Sequence, residues 1–318
     1  MKRVLITGGS GFLGKNLADN LKNDYEVYLT SRNQKQLQAA SSFLDVESAP
    51  SDISSFHSID EIISRSKPDI IIHAGATKFV NISEKYPNEC IDVNILGSQN
   101  VLRSAIQNKV KSVLGISTDK ATAPIANIYG LSKSVMEKLF TSMDNEGETR
   151  FSCVRYGNVV WSTGSVFPIW EDMAKSTSLI KSTGSDMSRF FFSIYDAVSL
   201  VRTSIENFDL VNGKILSYPM KGVTISNVLD EFCKIYESEW ETTESRKGDR
   251  PYELLISESE ASYTEKISID NHDYFLLDEK GRTNHSDLVS SYSSNNCEQL
   301  SSEEIRELIL KKPEDKFL

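Results

Sequence analysis

The apolar run Val4-Leu5-Ile6 passes straight into Thr7-Gly8-Gly9-Ser10-Gly11-Phe12-Leu13-Gly14, and Leu13, Leu17 and Leu21 then recur at helical spacing. Strand, glycine turn and amphipathic helix in immediate succession leave few folds open. Gly8 permits a tight turn, Gly11 lets a pyrophosphate reach the backbone, and Gly14 lets helix and strand pack closely. The free N–H groups at the helix start complete an anion site. Glycines also mark ordinary turns, and it is the flanking elements that make this spacing a dinucleotide fingerprint.

Strand-like and helix-like segments keep alternating through the first half, which predicts an α/β, Rossmann-type, doubly wound parallel sheet. The second strand, residues 26–30, ends in Ser31-Arg32-Asn33 without an acidic residue for a ribose 2′-hydroxyl. Ser31 and the guanidinium of Arg32 suit a 2′-phosphate instead, favouring NADP over NAD. The other reading of Arg32 is a solvated turn residue. Asp69-Ile70-Ile71-Ile72-His73 runs into Ala74-Gly75-Ala76, whose small side chains let a cofactor lie against the backbone. His73 reads as a packed histidine. The strand over 110–117 delivers Thr118, Asp119 and Lys120 to its C-terminal end, where open parallel sheets bind ligands.

Tyr129 and Lys133 lie four residues apart and so share one helix face. The Lys133 cation is expected to lower the phenol pKa and make Tyr129 a base for a hydroxyl whose carbon loses hydride. Alcohol oxidation needs only this set. Asp119 and Lys120 add a second acid and base, pointing to a further proton transfer. Their other reading is a surface ion pair of little energetic worth.

The chain has 318 residues, enough for this domain and a smaller partner, and its net charge of −10 argues against nucleic-acid binding. Cys90, Cys153, Cys233 and Cys297 lie too far apart for a metal or redox motif, which favours a reducing compartment. No secretory or membrane-spanning segment is legible, so a cytoplasmic protein is expected. Past residue 150 the segments shorten. We expect an NADP-binding domain over 1–160, rejoined by 186–215 through helices around Ile194, and a substrate-binding part over 161–185 and 216–318. The polar stretch 237–250 reads as an exposed or substrate-covering loop.

The glycine spacing resembles the extended short-chain dehydrogenases/reductases. Ser117-Thr118-Asp119-Lys120-Ala121 followed by Tyr129-Gly130 and Lys133 resembles their polysaccharide-biosynthesis nucleotide-sugar dehydratases, inverting UDP-N-acetylglucosamine 4,6-dehydratases in particular. His73-Ala74-Gly75-Ala76-Thr77-Lys78, Arg155-Tyr156-Gly157-Asn158-Val159-Val160, Met187-Ser188-Arg189-Phe190, the run from Lys247 to Glu253 and that from Leu300 to Arg306 resemble further blocks. The resemblance implies a lyase with catalytic Thr118, Asp119, Lys120, Tyr129 and Lys133. Cofactor contacts are implied for Thr7, Gly8, Ser10, Gly11, Phe12, Leu13, Gly14, Ser31, Arg32, Asp52, Ile53, Ala74, Gly75, Ala76, Lys78, Asn94, Tyr129 and Lys133. Asp52 also reads as a helix N-cap. UDP-sugar contacts are implied for Lys78, Asn158, Arg189, Lys247, Arg250 and Glu253, with Arg155 a weaker diphosphate partner, no metal, and a homo-oligomer. In that scheme Lys120 is neutral and removes the C5 proton, while Asp119 protonates the leaving 6-hydroxyl. Two departures stand out: Trp161-Ser162-Thr163-Gly164-Ser165 lacks the family's arginine, suggesting a changed sugar or subunit contact, and no acidic residue adjoins Ser31-Arg32. A UDP-hexose 4-epimerase, a dehydratase stopping at the 5,6-ene, and a non-catalytic NADP-binding regulator are the alternatives.

Overall fold

Strands buried on both faces need near-continuous apolar runs, and Val4, Leu5, Ile6, Ile70, Ile71 and Ile72 supply them with almost no exposed surface. In the computed structural model, which describes residues 1–143, 148–244, 250–281, 288 and 290–313, these runs pair as central strands. The strands are β1 (Arg3–Thr7), β2 (Glu26–Ser31), β3 (Glu47–Pro50), β4 (Ile70–His73), β5 (Ser112–Ile116) and β6 (Arg150–Arg155). The helices of this half are α1 (Phe12–Leu21), α2 (Gln34–Leu44), α3 (Phe56–Ser66), α4 (Val80–Lys85), α5 (Pro87–Cys90), α6 (Gly97–Gln107) and α7 (Ile128–Ser142).

Sheet order is β3-β2-β1-β4-β5-β6, all parallel, with Thr7 in register with both Thr30 and His73. Strand order reverses between β1 and β4, and the crevice at such a reversal is where doubly wound sheets hold ligands. Leu17, Ala18 and Leu21 of α1 face the core at helical spacing. The later helix Ile194–Glu206 packs against α1 and buries Ala197, Leu200 and Val201 in the same core.

The sheet also reaches past the boundary expected at residue 216. Ile215–Ser217 pairs parallel to β6, and the antiparallel hairpin Thr264–Ile269/His272–Leu277 extends that edge, giving a sheet of nine strands among the described residues. The hairpin turns at Asp270 and Asn271, both at positive φ, which suits residues that tolerate left-handed backbone. A three-residue strand has too few positions to show a period in sequence, so its place depends on pairing alone.

A second apolar cluster lies outside the sheet. Trp161, Phe167, Trp170, Phe191 and Phe232 form its aromatic centre, and Ile305 and Ile309 of the helix Ser302–Leu310 close it. Trp161 was expected to alter a sugar or subunit contact. Its indole N–H donates instead to the Leu308 carbonyl at 3.1 Å, and its ring packs edge-on against Phe167. The stretch 237–250 is likewise more than a loop: Glu239–Thr243 is a strand paired parallel to Leu179–Thr183, while 245–249, with Lys247, lies outside the described residues. Backbone hydrogen bonds to a neighbouring strand explain order in so polar a run.

Trp161→Ala removes a buried indole and a hydrogen bond, and should cost about 3–5 kcal/mol of stability. Urea denaturation should show a lowered midpoint; an unchanged midpoint would mean that the C-terminal helix is held by other contacts.

Candidate active site

The glycine turn is tight for a reason visible in the backbone. Gly8 sits at φ +69°, and a Cβ there would stand 2.8 Å from the Ala74 carbonyl oxygen. At Gly14 a Cβ would stand 2.5 Å from the Gly8 carbonyl oxygen, so strand exit and helix α1 touch through backbone alone. Gly11 caps α1, ahead of Phe12 and Leu13, whose first-turn amides have no intrahelical acceptor. Thr7 Oγ1 accepts from the Gly75 amide at 3.1 Å, joining the ends of β1 and β4, and Ser31 Oγ donates to Ser10 Oγ at 2.9 Å. Ile53 is buried over Gly75 and Gly97. Asp52 accepts from the Ser54 amide and hydroxyl at 3.0 and 2.7 Å. Bare backbone at close approach beside a helix N-terminus fits a dinucleotide. Arg32 is half-exposed and paired with Glu89 at 3.0 Å, a pair that a 2′-phosphate would have to displace.

The acid–base groups meet at the end of β5. Asp119–Ala121 form one 3₁₀ turn after Thr118, with Asp119 fully buried. Lys120 Nζ lies 3.0 Å from Asp119 Oδ1, 3.3 Å from Asn158 Oδ1 and 3.9 Å from Glu253 Oε1. This rules out the exposed ion-pair reading. Asn127 caps α7 by accepting from the Gly130 amide at 2.8 Å, the first turn brings the Tyr129 phenol beside Thr118, and Thr118 Oγ1 donates to Asp119 Oδ1 at 3.0 Å. Lys133 is buried and donates to the Ile116 carbonyl at 2.7 Å.

Two electrostatic expectations change here. Tyr129 keeps partial access to solvent, yet burial of its phenol pushes it up to about 12, and the cation opposing that rise is Lys120 rather than Lys133. Lys133 is itself brought down to about 8 by burial, and its ammonium points to a backbone carbonyl. Lys120 was expected to act as a base if a desolvated pocket left it neutral. Burial alone would lower it, but the carboxylates of Asp119 and Glu253 outweigh burial and hold it above the usual lysine range. In the substrate-free protein Lys120 is therefore an ammonium.

Around that pair stand four of the residues expected at the substrate. Glu253 is buried, with Arg189 Nε at 3.8 Å and Arg250 Nη1 at 3.9 Å. Burial pushes Glu253 up, offset in part by Lys120. Asn158 bridges from Lys120 to the Phe190 carbonyl. Asp119 Oδ2, Glu253 Oε2 and Arg250 Nη2 are buried without hydrogen-bond partners, and such orphaned atoms mark where a polar ligand belongs. Lys78 stands apart, donating to the Thr163 carbonyl at 2.6 Å. Arg155 does not reach the site at all. It is 1% exposed and bound by Glu137 and Glu260, so it is no diphosphate partner. Its side chain leaves β6 away from the crevice, a direction that a sequence block does not reveal.

Three features escaped the sequence reading. A Cβ at Gly130 would lie 2.2 Å from the Lys120 carbonyl, so this glycine lets α7 dock on the Asp119–Ala121 turn. A Cβ at Gly157 would lie 2.5 Å from Phe190 Cβ and 3.2 Å from Asp119 Oδ2. Ile91–Leu96 is a π-helical turn, and it aims buried Asn94 at both Thr77 and Ser132. Only the two glycines had a signal, their adjacency to Tyr129 and Asn158.

Residues 4–272 match the family model described as polysaccharide biosynthesis protein. The chain belongs to that family. It is a branch of the extended short-chain dehydrogenases/reductases that modify nucleotide sugars. A Rickettsia felis protein named UDP-glucose 4-epimerase is 34% identical over 97% of this chain and 95% of its own. The X-ray structure of Pen from Bacillus thuringiensis superimposes with a TM-score of 0.89 at 28% identity, covering 98% of each chain. The Thermus thermophilus UDP-glucose 4-epimerase complex with NAD shares the fold, with a TM-score of 0.68 at 19% identity over 78% of this chain and 88% of its own. Among the described residues no helix is long and apolar enough to cross a membrane, and no cluster of His, Cys, Asp and Glu could hold a metal ion.

His73 packs as expected, fully buried between Thr7 Oγ1 at 2.8 Å and Ser98 Oγ at 3.0 Å. Burial drops it from 6.5 to about 3. In that window the unfolded chain binds a proton that the folded chain refuses, so stability falls as pH falls from 6.5 towards 3. His73→Gln should flatten this acid limb in urea midpoints measured against pH; an identical slope in the variant would place the effect elsewhere.

Proposed function

We propose that this protein is an NADP-dependent 4,6-dehydratase acting on UDP-N-acetylglucosamine, with inversion at C5. The carrying observation is the pairing of buried Asp119 with partly buried Lys120 beside Thr118 and Tyr129, with an unpartnered Asp119 oxygen. Oxidation at C4, or epimerisation there, needs one base for one hydroxyl. A second acid–base pair largely withdrawn from water, at a desolvation cost greatest for Asp119, has a use when a C–H and a C–O bond must also break.

The glycine turn, Ser31, Arg32, Asp52, Ile53 and Ala74–Ala76 would hold a nicotinamide dinucleotide, which would take the C4 hydride and return it at C6. The part carrying Arg189, Arg250 and Glu253 would hold the nucleotide sugar, with the two guanidiniums facing its diphosphate. Tyr129 takes the O4 proton, its ionisation favoured by Thr118 and by the charge of Lys120. The C4 ketone then acidifies the C5 proton. Within the pair, a proton passes from Lys120 to Asp119 across 3.0 Å, leaving a neutral amine and a carboxylic acid. An arriving sugar strips remaining water, and low polarity favours this neutral form over separated charges. The amine of Lys120 removes the C5 proton and Asp119 protonates the departing 6-hydroxyl, so water leaves and the pair returns to ammonium and carboxylate. Lys120 or a neighbouring acid such as Glu253 then reprotonates C5. NADP is our choice over NAD because Ser31-Arg32 carries no acidic neighbour.

A UDP-hexose 4-epimerase is the second reading, favoured by the names of the Rickettsia relatives. One incubation of the protein with UDP-N-acetylglucosamine, with NADP⁺ or NAD⁺ added, separates the cases. A product lighter by one water, with a C6 methyl signal by NMR and faster turnover with NADP⁺, is expected. Unchanged mass would establish epimerisation, an alkene signal would mean that the reaction stops at the 5,6-ene, and equal turnover would remove the preference for NADP.

Tyr129→Phe should lower the rate of C4 oxidation by about 10²–10⁴-fold. Lys120→Ala should retain slow C4 oxidation and lose solvent deuterium incorporation at C5. Normal incorporation in that variant would take the base role away from Lys120.

A further inference from the structure

Behind the site, four chain segments meet at one side chain. Arg155 Nε and Nη2 donate to the two oxygens of Glu137 at 2.9 and 2.7 Å, Nη2 also donates to Glu260 at 2.8 Å, and Nη1 donates to the Leu255 carbonyl at 3.0 Å. The same carbonyl accepts from Thr122 Oγ1 at 3.2 Å. All of these residues but Glu260 lie a short step along the chain from a group of the acid–base site. Glu137 continues the Tyr129–Lys133 face of α7, Thr122 is two residues beyond Lys120, Leu255 is two beyond Glu253, and Arg155 itself is three before Asn158. A buried ion cluster is a poor stability device, since desolvation offsets most of its attraction. A planar guanidinium with its donors satisfied in several directions does fix the relative position of the segments around it.

We propose that Arg155 is a positioning residue for elimination: it holds the strand Leu254–Ile256, and with it Glu253, in register with the Asp119–Lys120 turn and helix α7. The inference rests on the dehydratase reading for its kinetic consequence and on geometry alone for its structural one. Lys120 is faced by Asp119, Glu253 and Tyr129, and Glu253 in turn by Arg189 and Arg250. Loosening Glu253 therefore removes one of two carboxylates that keep the proton on Lys120, while the glycine turn is untouched.

The test uses Arg155→Lys, which keeps the charge but cannot bridge all partners, with Glu260→Gln and Thr122→Val as milder losses of one bond each. A misplacement of about 1 Å should lower kcat by roughly 100-fold in Arg155→Lys. Glu260→Gln and Thr122→Val should show smaller losses, all three with KM and NADP⁺ affinity near wild type. The alkaline fall of kcat should also move to lower pH, because with Glu253 displaced the Asp119–Lys120 pair loses its shared proton more readily. A purely structural role would lower the melting temperature and leave that pH limb in place, and this outcome overturns the proposal. If Arg155→Lys does not fold, the same shift in Glu260→Gln and Thr122→Val decides it. Should the wild-type product keep its mass, the dehydratase reading fails on its own. Crystal structures of the variants then decide the positioning role: a Lys120–Glu253 separation still at the 3.9 Å found here would sink it.

Discussion

Parallel pairing is the constraint from which the rest of this molecule follows. With β1 to β6 all running one way, every strand ends at the same edge of the sheet. Thr7, Thr30, His73 and Gly115 therefore stand in one register, just before Ser31 and Thr118, although more than a hundred residues separate the first from the last. The reversal of strand order between β1 and β4 opens the crevice there. Backbone contacts set its depth: Gly8 against Ala74, Gly14 against Gly8, and Gly130 against the Lys120 carbonyl.

Into that edge the fold places charges that it does not need for stability. Two unit charges about 4 Å apart attract by about 4 kcal/mol at an effective dielectric of about 20. Withdrawing each ion from water costs several kcal/mol, so a buried pair such as Asp119–Lys120 contributes little to folding. Its upkeep instead comes from neighbours: Asn158 as acceptor, Glu253 as second carboxylate, and Gly157, whose missing side chain leaves room for the Asp119 carboxylate. The ion cluster of Arg155 with Glu137 and Glu260 lies behind it, linking the same segments from the far side.

The parts legible in the sequence were those encoded within one turn of chain. The glycine fingerprint, the shared face of Tyr129 and Lys133, and the Thr118-Asp119-Lys120 turn need no knowledge of distant partners, and the structure brings them to one edge of the sheet. What misled were residues whose meaning depends on direction or on a distant neighbour. Arg155 looked like a substrate cation, but a strand alternates its side chains and this one points away from the crevice. Trp161 looked like a substrate or interface residue, but its indole is buried against a helix that lies some 140 residues further along the chain. The ionisation of these groups likewise depends on packing: Glu253, which helps hold Lys120 charged, is remote in sequence, and burial raises the Tyr129 phenol.

From its sequence alone this protein was legible as a parallel α/β chain with a glycine-rich first turn and two groups of ionisable side chains, Tyr129 with Lys133 and Asp119 with Lys120, because period, glycine spacing and helix spacing are local properties of the backbone. Only the tertiary structure decided which cation faces Tyr129, that Lys120 keeps its proton, and that Glu253, Arg189 and Arg250 converge on it. Those outcomes depend on burial and on charge-to-charge distances of a few ångströms, quantities that exist only once remote segments of the chain have packed together.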